Sequence, residues 1–99
     1  MAKLIYDPLA RFEIKEAAAY YEESREGLGK AYLAAVETAI QKLAAHPLHY
    51  RKLGRSVRRC LVHRFPYGII FLVEKDFIFI AAVMHLKREP NYWQDRLKK

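Results

Sequence analysis

Cysteine is nearly absent: Cys60 is the only one in 99 residues, so no internal disulfide can staple the fold and a reducing compartment is expected. Cys60 lies in a strand-like run with no activating base marked beside it, which predicts a buried, inert thiol. Glycine and proline are also scarce, four of each. That suffices to punctuate turns but supplies no linker, repeat or low-complexity segment, and the length allows one domain with one modest core. Long apolar runs are missing. Tyr67 to Val73 and Phe77 to Met84 have strand length and are separated by Glu74, Lys75 and Asp76, each far short of the roughly 20 residues that cross a bilayer. The N-terminus reaches Asp7-Pro8 too soon for the apolar core of a signal peptide, so a soluble cytoplasmic protein is expected. His46 and His49 come nearest to a metal-ligand pair, but Pro47 lies between them and no thiolate or carboxylate joins them. There is no Gly-rich phosphate loop, nucleophile elbow or zinc-finger spacing, and neither metal nor cofactor is expected.

Charge is plentiful and uneven. Lys and Arg number 18 against 11 acids, a formal net of +7. Residues 1–46 hold 6 basic and 7 acidic side chains, a net of −1, while residues 47–99 hold 12 and 4, a net of +8. The basicity belongs to the second half.

The patterning divides at the same place. Lys3 to Tyr6 reads as a short strand, and Asp7-Pro8 supplies an N-cap and a first-position proline for a helix. Ala10, Ile14, Ala17, Ala18 and Tyr21 form a stripe on one face of that helix, which ends at Gly27-Leu28-Gly29. Tyr32, Val36, Ala39, Ile40 and Leu43 mark a second helix, stopped by Pro47, and the two make a hairpin. The period then drops to two. Val57 to Arg64, Tyr67 to Glu74 and Phe77 to Met84 read as an antiparallel meander, with Phe65-Pro66-Tyr67-Gly68 and Lys75-Asp76 as the turns. The fold class is therefore α+β: a small antiparallel sheet in β-α-α-β-β-β order, a helix hairpin on one face, and a short C-terminal helix over Asn91 to Leu97. The last two strands are apolar on both faces. The hairpin covers only one, and the terminal helix with Tyr92 and Trp93 is a small lid for the other, so a protein partner is expected to complete the cover.

Three groups of polar residues stand out. Arg51, Lys52, Arg55, Arg58, Arg59 and Arg64 form a basic series suited to phosphates or carboxylates, with Arg58 and Arg64 on one strand face and Arg59 on the other. His85, Lys87, Arg88 and Tyr92 follow the last strand. There a histidine can move protons, an arginine can neutralise a phosphate and a tyrosine can stack on a base. Glu13, Glu16, Glu22, Glu23 and Glu26 read as a solvated face of the first helix.

Taken in order, these pieces resemble the RelE/ParE superfamily of bacterial toxins from type II toxin–antitoxin, or plasmid stabilisation, systems. The likeness rests on Ala17-Ala18-Ala19-Tyr20-Tyr21-Glu22 before Gly27-Leu28-Gly29, then Val57-Arg58-Arg59, then Phe65-Pro66-Tyr67 with Ile69 and Phe71. It ends in Ala82-Val83-Met84-His85 with Arg88, Pro90 and Tyr92-Trp93. The resemblance implies growth arrest and neutralisation by a cognate antitoxin, with an apolar tail flanked by acids expected to wrap the toxin. It also implies one of two targets. RelE-like members cut messenger RNA in the ribosome, for which His85, Arg88 and Tyr92 would be the catalytic group beside Arg51, Lys52 and Arg58 or Arg59. ParE-like members poison DNA gyrase without chemistry of their own. The His85-x-x-Arg88 ending and the long hairpin look more like the ParE side, and no carboxylate base is placed beside the arginines. A non-toxic interaction protein of the same fold is the third possibility.

Overall fold

The computed structural model describes residues 3–54 and 56–97. Strand β1 (Lys3–Tyr6) leads into helix α1 (Pro8–Ser24). Asp7 caps α1 by accepting from the Leu9 amide at 2.9 Å, and Pro8 takes a first-turn position where no amide is needed. Helix α2 (Leu28–Ala45) begins after Gly27, whose φ of 87° reverses the chain in a conformation that side chains disfavour. The Glu22 carboxylate fastens this corner, accepting from the amides of Gly27 and Gly29 at 3.0 Å each. Pro47 opens a short 3-10 turn to His49, where the rings of His46 and His49 stack. Then come β2 (Arg51–Lys52), β3 (Val57–Leu61), β4 (Tyr67–Val73) and β5 (Phe77–His85).

The α+β architecture with a helix hairpin on a small sheet is as expected, but the sheet is mixed rather than wholly antiparallel. Its order is β1-β5-β4-β3-β2, and β1 runs parallel to β5 with Lys3 opposite Phe77 and Tyr6 opposite Ile80. A fifth strand, β2, occupies what reads in sequence as loop, because Arg51 and Lys52 pair with Arg59 and Arg58. β3 stops at Leu61, earlier than its alternation indicates, so Arg64 sits in the following turn at φ 77°.

Two clusters of buried side chains lie on opposite faces of the sheet. The helix-side cluster joins Tyr32, Val36, Ile40 and Leu43 of α2 to Ile69, Phe71, Ile78, Ile80 and Val83. Cys60 belongs to it, and burial pushes its thiol up from the ordinary range. The other face carries Ile70, Phe79, Ala81, Ala82 and Met84, and it is closed by the terminal segment. Trp93 is only 4% exposed there, with Tyr92 and Leu97 packed beside it. The terminal segment thus covers much of the second face, a larger share than so short a lid implies. The segment is also less regular than a terminal helix: turns lead to a 3-10 stretch at Gln94–Leu97.

Tyr32 shows how tightly the helix-side cluster is filled. Its ring is fully buried, 5.1–5.3 Å from the rings of Tyr21, Phe65 and Tyr67. Its hydroxyl has no hydrogen-bond partner among the described residues. A buried orphan hydroxyl costs about 1–3 kcal/mol, so Tyr32→Phe is expected to leave stability unchanged or raise it by about 1 kcal/mol. A thermal melt that falls by several degrees would show that the hydroxyl is satisfied after all.

Candidate functional site

Most of the described cations of the second half lie in two places. The first is the sheet edge. Lys52 faces Arg58 and Arg51 faces Arg59 across the β2–β3 ladder. Arg58 is opposite Phe71 of the helix-side cluster and Arg59 opposite Ile70 of the other, so each face of the edge carries one cation pair. Arg58 is held by a 2.8 Å hydrogen bond to the Tyr50 carbonyl. The stem of Arg59 lies over Gly68, where a Cβ would meet it at 3.1–3.2 Å and Leu86 at 3.3 Å. Gly68 thus lets the basic edge pack against the turn after β5. Arg64 stands beyond the strand, its guanidinium 5.7 Å from the Phe65 ring centroid. Arg55 lies outside the described residues.

The second place is the end of β5. His85 Nδ1 accepts from the Lys87 amide at 3.0 Å, and its ring meets that of Tyr67 edge-on at 5.2 Å. The Arg88 amide donates to the His85 carbonyl at 3.0 Å, a tight turn that brings both residues into one cleft of about 170 Å³. Tyr20, Tyr67 and two carboxylates, Glu13 and Glu16, also line it. Sequence reading placed no carboxylate here. Arg88 stacks on the Tyr92 ring at 3.7 Å from its centroid. Arg88 therefore shares the cleft with His85 and stacks on Tyr92, which is not among the residues lining that cleft.

Glu13 organises this end of the molecule. Beyond Ile80 the outer edge of β5 outruns β1, and a bulge at Ile70/Phe71 disturbs its pairing with β4. Glu13 reaches from α1 to accept the Val83 amide at 3.0 Å, while Arg96 Nη1 donates to the Ala81 carbonyl at 3.0 Å. The two side chains also pair with each other, at 2.9 and 3.1 Å, and are only 10% and 12% exposed. The Tyr92 hydroxyl donates to Glu13 at 2.6 Å. Burial, followed by that bond to a carboxylate, raises the Tyr92 pKa above the ordinary tyrosine range. The group forms a clasp around the sheet edge, tying the terminal segment on one face to α1 on the other. Glu13 is thus no solvated acid. The helical spacing already marks it, three residues after Ala10 and four before Ala17 on the buried stripe.

Comparison with known proteins assigns the family. The model of the ParE toxin of the type II toxin–antitoxin system, parDE, matches residues 4–90. The chain belongs to the ParE toxin family. A solved structure described as the chromosomal ParDE toxin–antitoxin system from P. aeruginosa shares the fold of this ParE chain. The TM-score is 0.64 at 16% identity, over 86% of this chain and 96% of that one. Among curated proteins, none matches significantly in sequence. The ParE match takes in Glu13, both faces of the basic edge, His85 and Arg88, and stops before Tyr92, Trp93 and Arg96. Among the described residues of this ParE chain, no helix is long and apolar enough to cross a membrane.

Proposed function

We propose that residues 1–99 form one toxin domain that arrests growth in the cytoplasm by poisoning DNA gyrase, without bond chemistry of its own. The supporting observation is how His85, Arg88 and Tyr92 are engaged. The Tyr92 hydroxyl is committed to Glu13, its ring to Arg88, and His85 Nδ1 to a backbone amide. General acid–base cleavage of RNA needs a donor and an acceptor that converge on one ribose-phosphate. Here Arg88 and Tyr92 hold each other, Tyr92 holds Glu13, and His85 holds its own turn instead. In this reading Arg51, Lys52, Arg55, Arg58, Arg59, Arg64 and Lys87 supply the charged surface that meets target or antitoxin. A cognate antitoxin neutralises the protein by laying an acidic segment across that surface.

Purified protein is expected to inhibit supercoiling by gyrase or to accumulate cleaved complexes, and unaffected gyrase would refute the reading. Ribosome-dependent cleavage of messenger RNA is the second reading, and one observation favours it: Glu16 shares a cleft with His85 and Arg88. An in vitro translation assay run beside the supercoiling assay separates the two. Codon-positioned cuts that appear only with ribosomes present would establish the second. If expression without antitoxin leaves growth untouched, both give way to an interaction protein of the same fold.

A further inference from the structure

We propose that the β2–β3 edge is a binding surface for the phosphate backbone of duplex DNA, entered edge-first with β2 leading. The first ground is the register. Like charges directly opposite each other destabilise a β-ladder, yet here Arg51 faces Arg59 and Lys52 faces Arg58, with no opposite charge between them. The second ground is the lack of compensation. Between Glu37 and Glu74 the sequence has no carboxylate at all, and the whole edge falls within that stretch. The only ion pair among the described residues is that of Arg96 with Glu13, at the opposite side of the sheet. A ladder that concentrates positive charge without internal neutralisation is suited to a polyanion.

The third ground separates nucleic acid from an acidic peptide. A peptide laid on one face of the sheet neutralises only one of the two cation pairs. The major groove of B-DNA, about 12 Å wide, admits a two-stranded ribbon and lines both sides of it with phosphates. Arg51 and Arg59 then reach one wall while Lys52 and Arg58 reach the other. The anchoring of Arg58 by Tyr50 and of the Arg59 stem over Gly68 fixes two of these charges before binding, which lowers the ordering cost. No base edge is read in this arrangement, so binding is independent of sequence. The surface includes residues that the proposed function gives to target or antitoxin, but DNA affinity is measured with neither gyrase nor antitoxin present.

The test is the fluorescence anisotropy of a labelled 20-base-pair duplex titrated with the full chain between 50 and 200 mM NaCl. Four phosphate contacts give a slope of about −3.6 in log affinity against log salt, or roughly a 150-fold loss over that range. Arg51→Ala with Lys52→Ala, both exposed positions, is expected to reduce the slope to about −1.8 and the loss to roughly 12-fold. Lys75→Ala, on the exposed β4–β5 turn, is the control for general charge and is expected to keep the full slope. A shallow slope for the unaltered chain would overturn the proposal. So would an equal effect of Lys75→Ala, or polyglutamate competing as well as duplex at equal charge. Circular dichroism of each variant separates lost binding from lost fold. A chain that inhibits gyrase without binding DNA refutes this inference alone, and one that binds DNA but spares gyrase refutes only the proposed function.

Discussion

Glu13→Ala is expected to cost about 3–5 kcal/mol of stability, the scale seen when one partner of a buried ion pair is removed. The cost arises from what remains. Arg96 keeps a charge that is largely shielded from water, the Tyr92 hydroxyl loses its acceptor, and the Val83 amide is left on an unpaired strand edge. For a domain near 100 residues each kcal/mol moves Tm by about 4–8 °C, so a fall of at least about 12 °C is expected. Glu13→Gln keeps an acceptor for the Val83 amide and should lose less. Removing both charges, with Glu13→Leu and Arg96→Leu together, should cost less than the two single losses added, because no ion is then stranded. Hydrogen exchange provides the local readout, with Val83 losing protection before the helix hairpin does. If Glu13→Ala melts within about 2 °C of the unaltered chain, the clasp contributes nothing to the fold.

Gly29→Ala is the second large effect, and its sign opposes helix propensity. Alanine is favoured over glycine in a helix interior by about 1 kcal/mol, so propensity alone predicts stabilisation. Here the added Cβ would stand 2.5 Å from the carbonyl oxygen of Ala18 and 3.0 Å from Glu22. The first contact is backbone on the facing helix and cannot turn aside. α1 and α2 must part, and the bond from the Gly29 amide to Glu22 weakens with them. Overpacking of this kind typically costs about 1–3 kcal/mol, and the lost cap adds to it. A net loss of about 2 kcal/mol or more in urea melts is expected. Gly54→Ala, where nothing lies within 4 Å of the new Cβ, is the matched control and should be neutral. Equal melts for the two variants would show that the hairpin accommodates the methyl group.

These two residues mark the limit of what sequence reading reaches. Local chemistry was legible: Asp7-Pro8 starts α1, Pro47 ends α2, and the apolar periods separate helices from strands. The basic series was visible, as was the split of Arg58 and Arg59 between faces. Pairing was not. Nothing local in Lys3 to Tyr6 says which strand it joins or in which direction, and Arg51-Lys52 is too short to alternate. Alternation carries Arg64 into a strand because it has no signal for a strand that ends early. The carboxylates were the largest omission. Glu13, Glu16 and Glu22 share a polar-looking helix, yet Glu13 binds residues 70 to 83 positions away, Glu16 enters the cleft and Glu22 caps the neighbouring helix. Helical spacing sets Glu13 on the buried stripe, but only three-dimensional proximity distinguishes Glu16 and Glu22 from Glu23 and Glu26.

The parallel union of β1 with β5 also sets the order in which the protein can come into being. During synthesis the helix hairpin emerges early, but every strand except β1 is made after it. β1 has no partner until Phe77 to Ile80 has left the ribosome, and Glu13 waits longer still, for Tyr92 and Arg96. Closing such distant contacts costs chain entropy before any contact rewards it, so assembly of the sheet is late and concerted. A nascent or truncated chain that ends before Tyr92 lacks the clasp. The clasp can close only once Tyr92 and Arg96 have left the ribosome, so the two ends of the described fold are tied together last.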